Sequence, residues 1–256
     1  DVTVQWDATA DMMVYGKWGN GYKAGGFDED NGRGNIPAQE YEDETSETIE
    51  LGAKIDLLEG RARLNVALFT SQYEDVQVST FDGVAGFVVG NAAETEVEGF
   101  ELDGMFAVTE DLTIAMAFAY LDAKYKTYPG AGCTGGQTQA FAAGPDGIGG
   151  TADDLTPGDC TQDLSGEPLQ FAADWSGNFG VIYNTPITDN LEINTSLDVL
   201  FTDEYTVAAD GDEVLSQDSF AKVNLRVAIG DLNGDWSIAL LGKNLTDEET
   251  TTWGND

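Results

Sequence analysis

From residue 91 to residue 120 apolar and polar side chains change places at almost every step. Phe100, Leu102, Phe106 and Val108 share one parity with Gly104, while Glu101 and Asp103 take the other. A period of two is that of a strand with one greasy face and one wet face. After a short turn at Thr109, Glu110 and Asp111, the return run sets Leu112, Ile114, Met116, Phe118 and Tyr120 against Thr113, Ala115, Ala117 and Ala119. The spacing predicts an antiparallel hairpin whose apolar face runs across both strands. Glu96 and Glu98 keep the parity of Phe100 but lie at the far end from the turn, so the apolar face has a definite height. The nine positions 100–108, at about 3.3 Å per residue and a tilt of about 40°, cover about the height of an outer-membrane hydrocarbon band.

The same rhythm repeats along the chain. Val2, Val4 and Trp6 alternate with Thr3, Gln5 and Asp7; Ile49, Leu51, Ala53, Ile55 and Leu57 alternate with Glu50, Gly52, Lys54 and Asp56. Ala62 to Leu68, Phe179 to Tyr183, Leu191 to Phe201, Ala221 to Ile229 and Trp236 to Leu240 follow suit, giving about ten strands. Tight connections near residues 10, 59, 110, 188 and 232 alternate with long polar ones near 25–46, 72–93, 126–176 and 203–218. Sandwiches mix loop lengths at both ends, whereas outer-membrane barrels keep short turns on the periplasmic side and long loops outside.

Composition narrows this further. The 256 residues contain 31 glycines and carry 11 basic against 47 acidic side chains, a formal charge of -36. Such a balance repels nucleic acid and excludes it as a partner, and it favours solvated loops or cation partners. No run approaches the roughly 20 apolar residues of a membrane helix. A mean hydropathy of -0.24 still suits a β-barrel, whose other face is wet. Without histidine and with two cysteines, the usual catalytic triads and His-rich metal sites cannot be built, and no enzyme activity is expected.

Four pieces carry a family resemblance: YGKWGNGYKAGGF at 15–27, ETIELGAKIDLLEGRARLNVALFTSQYEDVQV at 47–78, NAAETEVEGFELD at 91–103 and WSIALLGKNLTDE at 236–248. In this order and spacing the chain resembles the C-terminal part of the β-barrel of TonB-dependent outer-membrane receptors. The resemblance implies an all-β fold: a transmembrane antiparallel segment, residues 1–256, of a larger barrel of roughly 22 strands. It implies the bacterial outer membrane, with lipid around the barrel. It also implies active uptake of a scarce nutrient such as a ferric siderophore, cobalamin or saccharide, energised by the TonB complex through a plug domain. No cofactor is required. The plug is expected to be missing ahead of Asp1, and the last strand to lie beyond Trp253. The remaining barrel strands then come from the same or another chain. The alternative is a secreted or surface-assembled acidic β-protein, a calcium-stabilised binding or structural module.

Candidate chemistry lies in the loops. Cys133 and Cys160 fall in the long loop at 126–176, and a disulfide stapling that loop is the simplest use of them in an oxidising compartment. Asp146, Asp153, Asp154 and Asp159 stand in a glycine-rich stretch. Oxygen ligands on a pliant backbone suit Ca²⁺, but the spacing is not that of the twelve-residue calcium loop, and a solvated acidic loop is the plainer reading. Trp18, Tyr22, Phe27 and Tyr41 lie near an outer loop, where they could stack on a nutrient ligand or form an aromatic girdle at the membrane interface.

Overall fold

The computed structural model describes residues 1–28, 39–81 and 87–252. Trp253, named above, lies outside the described residues. Ten long strands make one sheet: β1 (Val2–Thr9), β2 (Met12–Lys23), β3 (Glu44–Leu57), β4 (Ala62–Phe81), β5 (Phe87–Ala107), β6 (Leu112–Thr127), β7 (Trp175–Pro186), β8 (Leu191–Thr202), β9 (Phe220–Asp231) and β10 (Ser237–Gly242). Each pairs antiparallel with its neighbour in sequence, so spatial order repeats chain order. This is the up-and-down meander that the alternation of short and long connections requires.

Register converts the period-two pattern into two chemically distinct faces. Val14, Ala53, Val66, Leu102 and Phe118 are partners in one row across β2 to β6, and Gly16, Leu51, Leu68, Phe100 and Tyr120 form the next. On the opposite face, Met13, Lys54, Asn65, Asp103 and Ala117 form one row and Tyr15, Gly52, Ala67, Glu101 and Ala119 another. The apolar face is uncovered: Leu51 is 61% exposed, Leu68 58% and Leu240 78%. Fully buried side chains are scarce among the described residues and sit mostly in the loops. A sheet that hides its backbone but shows its leucines needs an apolar solvent.

Two turns use the same device. In Val108-Thr109-Glu110-Asp111-Leu112 the Thr109 hydroxyl accepts the N–H groups of Asp111 and Leu112 at 3.2 and 3.0 Å. In Ile187-Thr188-Asp189-Asn190-Leu191, Thr188 does the same for Asn190 and Leu191 at 3.3 and 3.1 Å. A hydroxyl that satisfies the turn's own donors fixes the reversal locally. Gly60, at φ +84°, closes the β3–β4 turn in a backbone region that glycine enters without steric cost. Within the sheet, the Phe201 ring lies over Gly177 of β7, where an added Cβ would come 2.5 Å from the ring. Aromatic cover of a strand glycine restores packing that the glycine lacks.

The sequence reading differs from the structure at one connection. Residues 72–93, expected as a long polar loop, are mostly strand: β4 and β5 continue as a paired ribbon through Ser79 opposite Val89. Val76 to Phe81 pairs with Phe87 to Ala93, past register shifts between Tyr73 and Val76 and between Val76 and Gln77. Such a bulge twists the ribbon and interrupts alternation, which is why the pattern looked like a loop. Residues 126–176 are a loop as expected, but they hold a short helix, α1 (Gly135–Ala142), capped reciprocally by Thr134 and Gln137.

The two faces respond differently to charge. Leu102→Lys, at mid-height of the apolar face, is expected to destabilise the full barrel by about 2–4 kcal/mol. Glu101→Lys, one residue away on the polar face, should cost less than about 1 kcal/mol. Urea unfolding of the two variants in lipid vesicles checks the difference.

Candidate functional site: the loop end and the polar wall

The polar face forms a continuous wall of short-range pairs across β2 to β5. The Tyr15 hydroxyl donates to Glu50 Oε1 at 2.5 Å, and Arg63 meets Asp56 through two hydrogen bonds of 2.7 and 2.9 Å. Asn65 Nδ2 donates to Asp103 at 2.7 Å, while its own Oδ1 is buried without a partner. Further round, on β6 and β7, the same face carries Thr113, Ala115, Ala117 and Ala119 opposite Ile182, Gly180, Asn178 and Ser176. Charge thus gives way to a small, smooth stretch on β6 and β7 and returns on β8 and β9 with Asp198, Lys222 and Arg226. Exposed pairs of this kind contribute about 0–1 kcal/mol each, so their value is in holding side chains in register rather than in stability.

At the loop end two amides tie three segments together. Asn91 Nδ2 donates to the Glu42 and Asp75 carbonyls at 3.0 and 2.7 Å, and its Oδ1 accepts the Glu42 N–H at 2.6 Å. Gln77 Nε2 donates to the carbonyls of Ala24 and Glu42 at 3.1 and 3.0 Å, and its own N–H reaches Glu44 Oε2 at 3.0 Å. Asp75, at φ +55°, is the residue left out of the ladder at the bulge, and the Asn91 bond holds its carbonyl. Sequence reasoning missed both amides, because an amide that bonds to backbone leaves no periodic trace.

The loop at residues 128–174 folds on a small core that it shares with the outer ends of β4, β5 and β6. Ala93, Tyr128, Ala131 and Leu164 are buried together, with Val76, Val78 and Tyr125 packed on them. Cys133 and Cys160 form the expected disulfide across a separation of 27 residues, a closure worth about 3–4 kcal/mol in the chain-entropy account. The next loop locks onto this one. Gln162 Nε2 donates to the Gly132 and Asp210 carbonyls at 2.6 and 2.7 Å, Gln170 Nε2 to the Val207 carbonyl at 2.6 Å, and Phe171 N–H to the Thr206 carbonyl at 2.9 Å. Val207 is fully buried at the junction.

The acidic stretch uses its carboxylates on itself. Asp146 accepts the Ile148 N–H at 2.8 Å; Asp154 accepts the Gly150 and Thr151 N–H groups at 2.7 and 3.2 Å; Asp153 accepts the Thr151 hydroxyl at 2.6 Å. The Gly150 N–H holds the Asp154 carboxyl below its ordinary value of 3.8, and the Thr151 hydroxyl does the same for Asp153. Asp159 stands apart in the short turn at Pro157–Asp159. Among the described residues no group of three or more acidic, histidine or cysteine side chains is arranged to hold a metal ion.

The four candidate aromatics are split up. Trp18 and Tyr22 continue the parity of Val14 on the apolar face, where Trp18 Nε1 donates to Glu47 at 3.0 Å. Phe27 and Tyr41 belong to a short hairpin, Gly26–Asp28 with Gln39–Tyr41. There Tyr41 covers Gly26, and Phe27 is 63% exposed.

The family model described as "TonB dependent receptor-like, beta-barrel" matches residues 2–245. A probable TonB-dependent siderophore receptor, PiuA, from Acinetobacter baumannii is 28% identical over 103 residues, covering 40% of this chain and 13% of that protein. The metal-pseudopaline receptor CntO from Pseudomonas aeruginosa is 27% identical over 123 residues, covering 48% and 16%. The chain thus spans well under a fifth of the curated relatives it matches. Among solved structures, the ferric yersiniabactin uptake receptor FyuA from Yersinia pestis superposes with a TM-score of 0.72 at 16% identity, over 99% of this chain and 33% of that one, a likeness of fold.

The acidic loop gives a pH signature. A carboxylate whose folded pKa is lowered contributes stability above the unfolded value, and that contribution is lost as pH falls through the folded one. The Gly150 amide resonance is expected to titrate with a midpoint below the ordinary 3.8 of Asp154, and Asp154→Ala should abolish that titration. An NMR pH series on the isotope-labelled protein reads both.

Proposed function

Because the chain belongs to the TonB-dependent receptor β-barrel family, we propose that it forms part of the wall of an active importer for a metal chelate. Members of the family are outer-membrane β-barrel proteins, and the bacterial outer membrane is where this chain lies. The apolar face then meets lipid and the polar face lines the lumen, with the tight turns in the periplasm and the long loops outside. The family match over residues 2–245 carries the reading. Relatives named for a siderophore and for metal-pseudopaline favour a metal chelate over cobalamin or a saccharide.

The rest follows from charge and geometry. Long acidic loops disfavour a polyanionic complex and favour a neutral or cationic one, because a formal charge of -36 sets the sign of the field at the mouth. Phe27, exposed on the hairpin beside the mouth, is the proposed stacking contact for the organic part of the chelate. The disulfide-stapled loop and its partner loop form a rigid stretch of rim. Energy comes from the TonB complex acting through a plug domain. The reading as a secreted module is disfavoured by the uncovered leucines of the sheet, which water would not tolerate over so wide a face.

Cells relying on the full-length receptor should take up radiolabelled iron from a neutral or cationic siderophore, and lose that uptake when TonB is inactivated. Uptake that persists without TonB would defeat the proposal. Phe27→Ala is expected to raise the half-saturating siderophore concentration about 2–10-fold, the value of one aromatic contact.

A further inference from the structure

The ladder between β2 and β3 ends with Lys23 opposite Glu44, and pairing resumes with Gly26 opposite Tyr41 in the short hairpin that carries Phe27. Between the two pairs, Ala24, Gly25, Glu42 and Asp43 belong to no strand. This break is a joint. What lies beyond a joint in a two-stranded ribbon swings unless other groups take up the freed backbone donors and acceptors.

Here they are taken up by β4 and β5. Gln77 Nε2 donates to the Ala24 and Glu42 carbonyls at 3.1 and 3.0 Å, while Asn91 meets Glu42 at both its carbonyl and its N–H, at 3.0 and 2.6 Å. Gln77 and Asn91 are cross-strand partners, so the two amides make one clamp that grips both sides of the joint. The two sides also pass close to each other: a Cβ on Gly25 would come 2.4 Å from the Tyr41 carbonyl oxygen. The ribbon that holds the clamp is itself fixed. Val76 and Val78, on either side of Gln77 in sequence, pack on the cluster of Ala93, Tyr128, Ala131 and Leu164, and Asn91 also holds the Asp75 carbonyl at the bulge.

We propose that Gln77 and Asn91 are positioning residues for ligand capture: they lock the joint so that Phe27 stands in one place for the organic part of the chelate. The inference rests on the reading of Phe27 as the stacking contact. Neither amide touches the chelate. An unclamped hairpin still carries the ring, but only receptors with the ring in place bind through it. Apparent affinity then falls by that fraction, while the rate at saturation is unaltered.

The test uses the full-length receptor. A nitroxide attached at Glu40→Cys, opposite Phe27 in the hairpin, reports how freely the hairpin moves with no ligand present. The label should be restrained when both amides are intact and mobile in Gln77→Leu and in Asn91→Leu. Uptake in cells is read with radiolabelled ferric hydroxamates, neutral and cationic. Each amide variant should raise the half-saturating concentration about 2–10-fold, leave the maximal rate unchanged and add nothing to the effect of Phe27→Ala. Heat-dependent gel mobility shows that each variant barrel is intact. Unchanged label mobility in both amide variants overturns the proposal. So does an equal loss of affinity with and without Phe27, because the amides then act elsewhere. Phe27→Ala with an unaltered half-saturating concentration, or a receptor that imports none of these complexes, overturns the underlying reading and this inference with it, whereas the first two results overturn the inference alone.

Discussion

Everything in this molecule depends on the backbone ladder between neighbouring strands. A spanning segment in hydrocarbon finds no water for its N–H and C=O groups, so each must be satisfied by the strand beside it. The ten-stranded sheet meets that demand with antiparallel pairs between sequence neighbours. Once the ladder is made, side chains are free to divide by solvent: leucines and aromatics toward lipid, carboxylates, amides and cations toward the lumen. Burial in the usual sense has almost no role within the sheet. Among the described residues most buried apolar side chains gather instead around the outer loops, at Ala93, Tyr128, Ala131, Leu164, Val207 and Ala208, with Ala123 and Ala228 the small exceptions within the strands.

That division explains what the sequence disclosed. Period-two alternation is forced wherever the two faces meet different solvents, so Phe100, Leu102 and Phe106 against Glu101 and Asp103 announced their strand, and the tight turns followed from where alternation reversed. Above the hydrocarbon both faces are wet and the forcing disappears. The ribbon beyond Tyr73 therefore lost its signature although its backbone is paired as far as Phe81. The helix Gly135–Ala142 was equally silent: it opens on two glycines, buries no residue and is specified by the reciprocal cap at Thr134 and Gln137. The lock between loops depends on Gln162, Gln170 and Val207 meeting across long stretches of chain, contacts that no local pattern encodes.

The candidate site shows the same limit. Cys133 and Cys160 were legible because two thiols in an oxidising loop have one simple use, and they are bonded. The acidic stretch was legible as charge, not as structure: its carboxylates hold the loop's own amides. Trp18 and Tyr22 were open to two uses, a ligand contact or an interface girdle; their parity puts them on the apolar face, with Trp18 bonded to Glu47. Parity, more than residue type, decides which solvent an aromatic side chain meets in such a sheet.

Within the hairpins closed by tight turns, paired residues lie close together in sequence. Closing a hairpin costs little chain entropy, and the threonine-held reversals at Thr109 and Thr188 lower it again by fixing the turn before the strands meet. The sheet can thus grow hairpin by hairpin, each new ribbon using the edge of the last as its template. The disulfide loop enters this order late, since its partner at Val207 lies beyond the next hairpin along the chain. Assembly of the wall and knitting of the rim are in that sense two successive events, the first directed by neighbours in sequence and the second by the finished wall.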